Sequence, residues 1–204
     1  MGRMSEDHTH VQEFFGVRAA DWDRRFPDDG PAFATAVAES GLRPGDRVLD
    51  AGCGTGRALA ALRSAVGPSG TVLGADLTPQ MLDAARRAGR EADGCLLLAD
   101  VARLPLRDGV LDAVFAAGLI AHLPDPEENL RELARVVRPG GRLALFHPVG
   151  RAALAARQGR ELGPDDLRAE HNLGPLLARS GWDMTGYADE DTRFLALAVR
   201  HIGG

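Results

Sequence analysis

Arg47-Val48-Leu49-Asp50-Ala51-Gly52-Cys53-Gly54-Thr55-Gly56-Arg57 is the stretch on which the rest of the chain turns. It reads as a short apolar strand that ends at an acid, passes through alternating glycines and opens a helix at Arg57-Ala58-Leu59-Ala60. Glycines at such a point let backbone N–H groups turn inward and let a ligand come closer than a Cβ would permit. The helix beyond presents free N–H groups and a positive dipole end. A dinucleotide loop reads G-x-G-x-x-G, and its third glycine would fall at Arg57. The spacing here is instead Asp-x-Gly-x-Gly-x-Gly. A carboxylate at Asp50 repels a pyrophosphate and suits a cationic ammonium or sulfonium. Arg57 and Asp50 therefore both argue against a nicotinamide-dependent oxidoreductase.

Outward from this loop, strands and helices alternate. Thr71-Val72-Leu73-Gly74-Ala75 is a nearly all-apolar strand, the pattern of a strand covered on both faces, and it stops at Asp76. Thr78 as cap and Pro79 at the first helical position begin the next helix. Asp76 lies roughly 20 residues past the last loop glycine, at a strand end, where an acid is placed to accept hydrogen bonds from two ribose hydroxyls. Cys95-Leu96-Leu97-Leu98-Ala99 is a third strand ending at an acid, Asp100, and Leu111 to Ala117 is a fourth. Asp125, Pro126 and Glu128 make a capping-box-like start for a helix that Arg138-Pro139-Gly140-Gly141 ends. Arg142 to Pro148 is a fifth strand, and Gly163-Pro164-Asp165-Asp166 begins a further helix. Asp183 to Ala188 and Arg193 to Val199 follow as an antiparallel pair. This order implies an α/β fold: a Rossmann-like, mostly parallel seven-stranded sheet with helices on both faces and an antiparallel final strand. A ligand lies past the carboxyl ends of the first strands in such a sheet, where Asp50, Asp76 and Asp100 all fall.

Ahead of the sheet, Met1 to Thr9 is expected to be a polar, loose start. His10 to Phe26 carries Val11, Phe14, Phe15, Val17, Trp22 and Phe26 at roughly helical spacing, closed by a turn at Pro27-Asp28-Asp29-Gly30-Pro31. These rings either cover one end of the core or line the apolar side of a pocket as a lid. Ala32 to Leu42 is a helix leading into the first strand. The 204 residues, 45% hydrophobic and 26% charged, suit one domain spanning 1–204, with 1–41 as an N-terminal helical lid or substrate-side segment.

Partners and compartment follow from composition. A net charge of −5 speaks against nucleic acid, although all the basic residues are arginine. No apolar run approaches the roughly 20 residues of a membrane span, and a signal-peptide core is lacking. Two cysteines make no disulfide framework, so the expected location is a reducing cytoplasm. A homodimer is left open.

The Asp50–Gly56 run resembles the first motif of the class I S-adenosylmethionine-dependent methyltransferases. The Leu-Pro-Leu-x-Asp-x-x-Leu-Asp-Ala-Val pattern from Leu104 is similar to a later stretch of the same family. The segment Leu130 to Gly141 resembles the subgroup that includes ubiquinone and menaquinone biosynthesis enzymes. The resemblance covers about Leu42 to Val199. It implies S-adenosyl-L-methionine as cofactor and S-adenosyl-L-homocysteine as product, held by Asp50, Gly52, Cys53, Gly54 and Gly56. In the family, an acid at Asp100 meets the adenine amino group, the Val101 N–H meets a ring nitrogen, and Leu77 lies against one adenine face. Small residues at Ala116 and Ala117 let the methionine portion pass close to the backbone.

Methyl transfer needs close in-line approach more than acid or base power. A base is required only when the acceptor must lose a proton, and His147 and His122, just past strand ends, are the catalytic candidates. No metal is expected, because carboxylates able to chelate one are not recognisable at the strand ends. The function implied is methyl transfer to a small, apolar or aromatic acceptor; the alternative is a non-catalytic S-adenosylmethionine-binding regulatory or scaffold protein.

Overall fold

The computed structural model describes residues 2–25 and 29–202. Its centre is a seven-stranded sheet in the order β3-β2-β1-β4-β5-β7-β6. The strands are β1 (Arg47–Ala51), β2 (Thr71–Asp76), β3 (Cys95–Leu98), β4 (Leu111–Ala117), β5 (Val137–His147), β6 (Trp182–Glu190) and β7 (Arg193–Arg200). The first five run parallel, and β7 pairs antiparallel with both β5 and β6. The expected sheet and its antiparallel finish are therefore present. Because β1 lies between β2 and β4, the strand order reverses there, which opens a crevice past its carboxyl end.

Side chains alternate between the two faces, as the period of two demands. Leu49, Val114, Leu143 and Leu145 join one buried cluster; Val48, Phe115, Ala144 and Phe146 join the other. The first cluster is covered by α6 (Pro126–Val136) and α8 (Glu170–Arg179), through Leu130, Leu133, Leu173 and Leu177. Trp182, fully buried in it, donates its indole N–H to Leu130 O at 2.9 Å. The second is covered by α3 (Gly30–Glu39) and α4 (Leu59–Val66), where Phe33, Phe115 and Phe146 pack with ring centroids 5.1–6.4 Å apart. Between β2 and β3, α5 (Pro79–Arg87) buries Met81, Leu82 and Ala85. Two shorter helices, α2 (Trp22–Arg25) and α7 (Arg151–Arg157), flank the crevice.

Four boundaries differ from the sequence reading. The chain start is helical, α1 running Gly2–Gly16. Gln12 anchors it by donating to Leu77 O at 2.9 Å, and a docked turn extends at one hydrogen bond per residue. Phe26, Pro27 and Asp28 lie outside the described residues. Second, α4 begins at Leu59 rather than Arg57, whose guanidinium is held by Asp29 at 3.0 Å. Third, Pro139-Gly140-Gly141 forms no loop. Strand β5 starts at Val137, opposite Leu111, and the register jumps to Ala113 opposite Arg142. The glycines allow that bulge: Gly140 has φ +71°, and a Cβ on Gly141 would sit 2.3 Å from Val137 Cγ1. Fourth, the helix expected from Gly163 begins at Glu170, because the Asp166 carboxylate accepts the Arg168 N–H at 2.9 Å and holds a turn there.

Among the described residues no helix is long and apolar enough to cross a membrane. Both cysteines are free; Cys53 is buried and Cys95 exposed.

Candidate active site

A cavity of about 1000 Å³ occupies the crevice at the carboxyl ends of β1, β2, β4 and β5. Its floor starts at the glycine loop. Gly52, Gly54 and Gly56 have φ of +67°, +55° and +81°, a left-handed conformation closed to most side chains. The loop is tied at both ends, Cys53 N–H donating to Ala75 O at 2.9 Å and Gly56 N–H to Cys53 O at 2.8 Å. A Cβ on Gly54 would meet nothing within 4 Å, so its backbone opens to free space. Gly52, Cys53 and Gly54 line the cavity; Gly56 does not, and serves the turn beneath it. The Cys53 thiol is turned against Gly74 and its pKa is pushed up by burial, so it is no nucleophile.

Asp50 lies at the cavity floor, 1% exposed, with neither carboxylate oxygen hydrogen-bonded. Burial, then the nearby Asp76 charge, push its pKa up to about 8. A buried carboxylate with no partner is costly unless a cation or donor completes it. The contrast with Asp76 is informative. Asp76 accepts Gly54 N–H on Oδ2 and Thr78 N–H on Oδ1, both at 2.8 Å. Burial raises its pKa while those backbone donors pull it back down. Thr78 makes no side-chain cap on α5, so the acid, not the threonine, organises that turn. Asp76 also lines the cavity. Asp100 accepts Ala102 N–H at 2.9 Å and lines the cavity with Leu77, Val101, Ala116 and Ala117.

His122 and His147 stand on the other half, past β4 and at the end of β5. His122 packs edge-on against Phe15 at 5.1 Å. Nδ1 of His147 lies 2.8 Å from Val149 O and 3.1 Å from Val149 N. With its proton on Nδ1, the shorter contact is a hydrogen bond and Nε2 is left as a free acceptor. Burial depresses both imidazole pKa values, and the Arg168 charge depresses them further. Both rings are therefore neutral at pH 7. From α1 and α2, Val11, Phe14, Phe15 and Trp22 form an apolar wall, whereas Val17 is 80% exposed and contributes nothing.

Two features were not legible beforehand. Thr55 Oγ donates to Asp23 at 2.6 Å, and Arg90 bridges Asp23 at 2.7 Å, so α2 is latched to the glycine loop. Arg168, from the irregular segment before α8, also lines the cavity. Neither had a motif; only the folding of distant segments brings them there. Among the described residues, no group of three His, Cys, Asp or Glu side chains could hold a metal ion.

Residues 49–145 match a family profile described as "Methyltransferase domain". The chain is 40% identical over 168 residues to Methyltransferase GfsG of Streptomyces halstedii, covering 76% of this chain and 60% of that one. It is 39% identical over 164 residues to 27-O-demethylrifamycin SV methyltransferase of Amycolatopsis mediterranei, covering 72% and 59%. Among solved structures, a SAM dependent methyltransferase from Aquifex aeolicus superposes with a TM-score of 0.68 at 26% identity, covering 82% of this chain and 89% of that one. The matches thus span 60% and 59% of the two curated relatives. Residues 49–145 are thus a methyltransferase domain, and the fold around it is similar to that of the class I S-adenosylmethionine-dependent methyltransferases. The cofactor of that class is S-adenosyl-L-methionine.

Proposed function

We propose that this protein catalyses methyl transfer from S-adenosyl-L-methionine to a small acceptor carrying an apolar or aromatic body. The observation that carries the proposal is Asp50: a buried carboxylate without a partner, on the floor of the cavity that also holds Asp76 and Asp100. That donor-hungry acid fits the cationic amino group of the cofactor. Asp76 has lone pairs for the two ribose hydroxyls, Asp100 and the Val101 N–H suit the adenine edge, and Leu77 suits its face. When bound, the cofactor supplies an electrophilic methyl on a sulfonium. The chain's own residues then bind, orient and shield. Gly52, Cys53, Gly54, Ala116 and Ala117 give backbone-close passage. Residues 1–41 act as the acceptor-side lid, with Phe14, Phe15 and Trp22 excluding water and packing the acceptor body. His147, neutral and with Nε2 free, takes the proton of an acceptor that must lose one, and His122 flanks the same position.

The name of the Amycolatopsis relative, which gives its acceptor as 27-O-demethylrifamycin SV, supports a small-molecule acceptor. The test is calorimetric titration with S-adenosyl-L-homocysteine, with NAD as control, followed by tritiated methyl transfer to a panel of small apolar and aromatic acceptors. Micromolar binding of the first ligand alone, with label in one acceptor, is the expected result. Absence of binding by the folded protein would refute the cofactor reading. Binding without transfer to any acceptor would favour a cofactor-binding scaffold.

A further inference from the structure

The order of the sheet gathers three acids on one half of the cavity floor. Asp50, Asp76 and Asp100 stand at the ends of β1, β2 and β3, on one half. His122 and His147 follow β4 and β5 on the other half; Arg157 at the end of α7, and Arg160 and Arg168 of the segment between α7 and α8, line the same cavity, as do Glu161, Asp165 and Asp166 of that segment. Both signs of charge therefore meet on this side of the cavity, and what sets Arg168 apart is how its guanidinium is paired.

Arg168 differs from the others in burial. Its side chain is 11% exposed. Its Nε and Nη2 reach Asp166 only at 3.4 Å each, and Asp166 is shared with Arg151 at 3.6 Å. By contrast Arg151 is gripped by Asp189 at 2.8 Å, and Arg57 by Asp29 at 3.0 Å. The Nη1 of Arg168 makes no hydrogen bond among the described residues, leaving a planar donor edge on the cavity wall. The backbone is held firmly: Tyr187 Oη donates to Arg168 O at 2.8 Å, and Arg168 N–H donates to Asp166 at 2.9 Å. A guanidinium so placed, positioned by its backbone yet weakly paired at its head, is suited to grip an anion in bidentate fashion.

We propose that Arg168 is a specificity-determining residue of the acceptor chamber, selecting acceptors that carry a carboxylate on the apolar or aromatic body packed by Phe14, Phe15 and Trp22. This rests on the methyltransferase reading for the meaning of the chamber. The carboxylate is a handle for orientation; its recognition requires no covalent step. Arg168 lines the same cavity as His122 and His147, and its charge lowers the pKa of both.

The test compares naphthoate with naphthamide, an uncharged analogue of nearly the same shape, by calorimetry on the full chain with and without saturating S-adenosyl-L-homocysteine. Naphthoate should bind about tenfold or more tightly than naphthamide, the ratio expected for a charged hydrogen-bonded pair. Arg168→Gln should bring that ratio to within about twofold while S-adenosyl-L-homocysteine affinity is unchanged. Arg168→Lys keeps the charge but loses the fork, so naphthoate alone should weaken severalfold. A wild-type ratio near one overturns the proposal. So does a preference that survives both substitutions. Failure of the wild type to bind S-adenosyl-L-homocysteine would instead sink the methyltransferase reading, and the naphthoate ratio is still read without it.

Discussion

Replacing Asp50 by Asn removes a charge and almost no volume from the cavity floor. In the ligand-free protein the Asp50 pKa is raised from 3.8 to about 8, so at pH 7 most molecules carry the neutral acid. That difference corresponds to about 6 kcal/mol between the two protonation states. Its sign follows from linkage. The folded state holds the proton more tightly than the unfolded chain, so this contribution is fully present below about pH 4 and is lost as pH rises through about 8. A ligand amino group that requires the ionised acid reverses the situation, because binding expels the proton. If the acid must be ionised, S-adenosyl-L-homocysteine affinity should rise roughly fifty-fold between pH 6 and pH 8. Calorimetry in buffers of different ionisation enthalpy should also detect close to one proton released at pH 7. Asp50→Asn should abolish both effects and weaken binding at pH 8 by about 1.5–3 kcal/mol. Without ligand, the variant should be more stable than the wild type at pH 8, read as the urea midpoint. An affinity that is flat with pH in the wild type, or a slope retained by the Asn variant, would refute the assignment of Asp50 to a cationic group.

Asp76→Ala should weaken S-adenosyl-L-homocysteine binding by about 1.5–3 kcal/mol and loosen the glycine loop, since Gly54 N–H loses its acceptor. Unchanged affinity in calorimetry would remove the ribose role. For an acceptor that must lose a proton, His147→Ala should lower kcat by about 10²–10⁴ with little change in the KM for cofactor. The wild-type kcat should stay level above pH 6.5 and fall only below it, because burial depresses the imidazole pKa; a loss under tenfold would exclude His147 as base. Trp182→Phe should cost about 1–3 kcal/mol in urea unfolding, because the indole hydrogen bond to Leu130 O is lost and the smaller ring leaves a gap in the core; a change within error would show that the core closes around it.

The strand-loop-helix at Arg47–Val66, the two further acid-terminated strands and the closing antiparallel pair were all visible in the sequence. Each is a local pattern: apolar runs of strand length, glycine where φ must be positive, and an acid at a strand end. Asp125 as helix cap was legible for the same reason, and it does accept Glu128 N–H at 3.0 Å. The errors were also local in origin. Pro139-Gly140-Gly141 reads as a loop on composition, but pairing with Leu111 and Ala113 converts it to a bulge within β5. Asp165-Asp166 reads as a helix start, but the Asp166 side chain competes for the backbone and delays α8.

What the sequence by itself determined is the class of fold and the edge on which a ligand must lie, because hydrophobic period and turn chemistry act over a few residues. Tertiary structure alone decided which distant groups share the cavity. It set Asp23 on Thr55, Phe15 on His122, and Arg168 across from the three strand-end acids. It also decided that Asp50 would be left without a hydrogen bond while Asp76 received two. Protonation, charge complementarity and desolvation depend on neighbours brought from tens of residues away, and no short-range pattern encodes them.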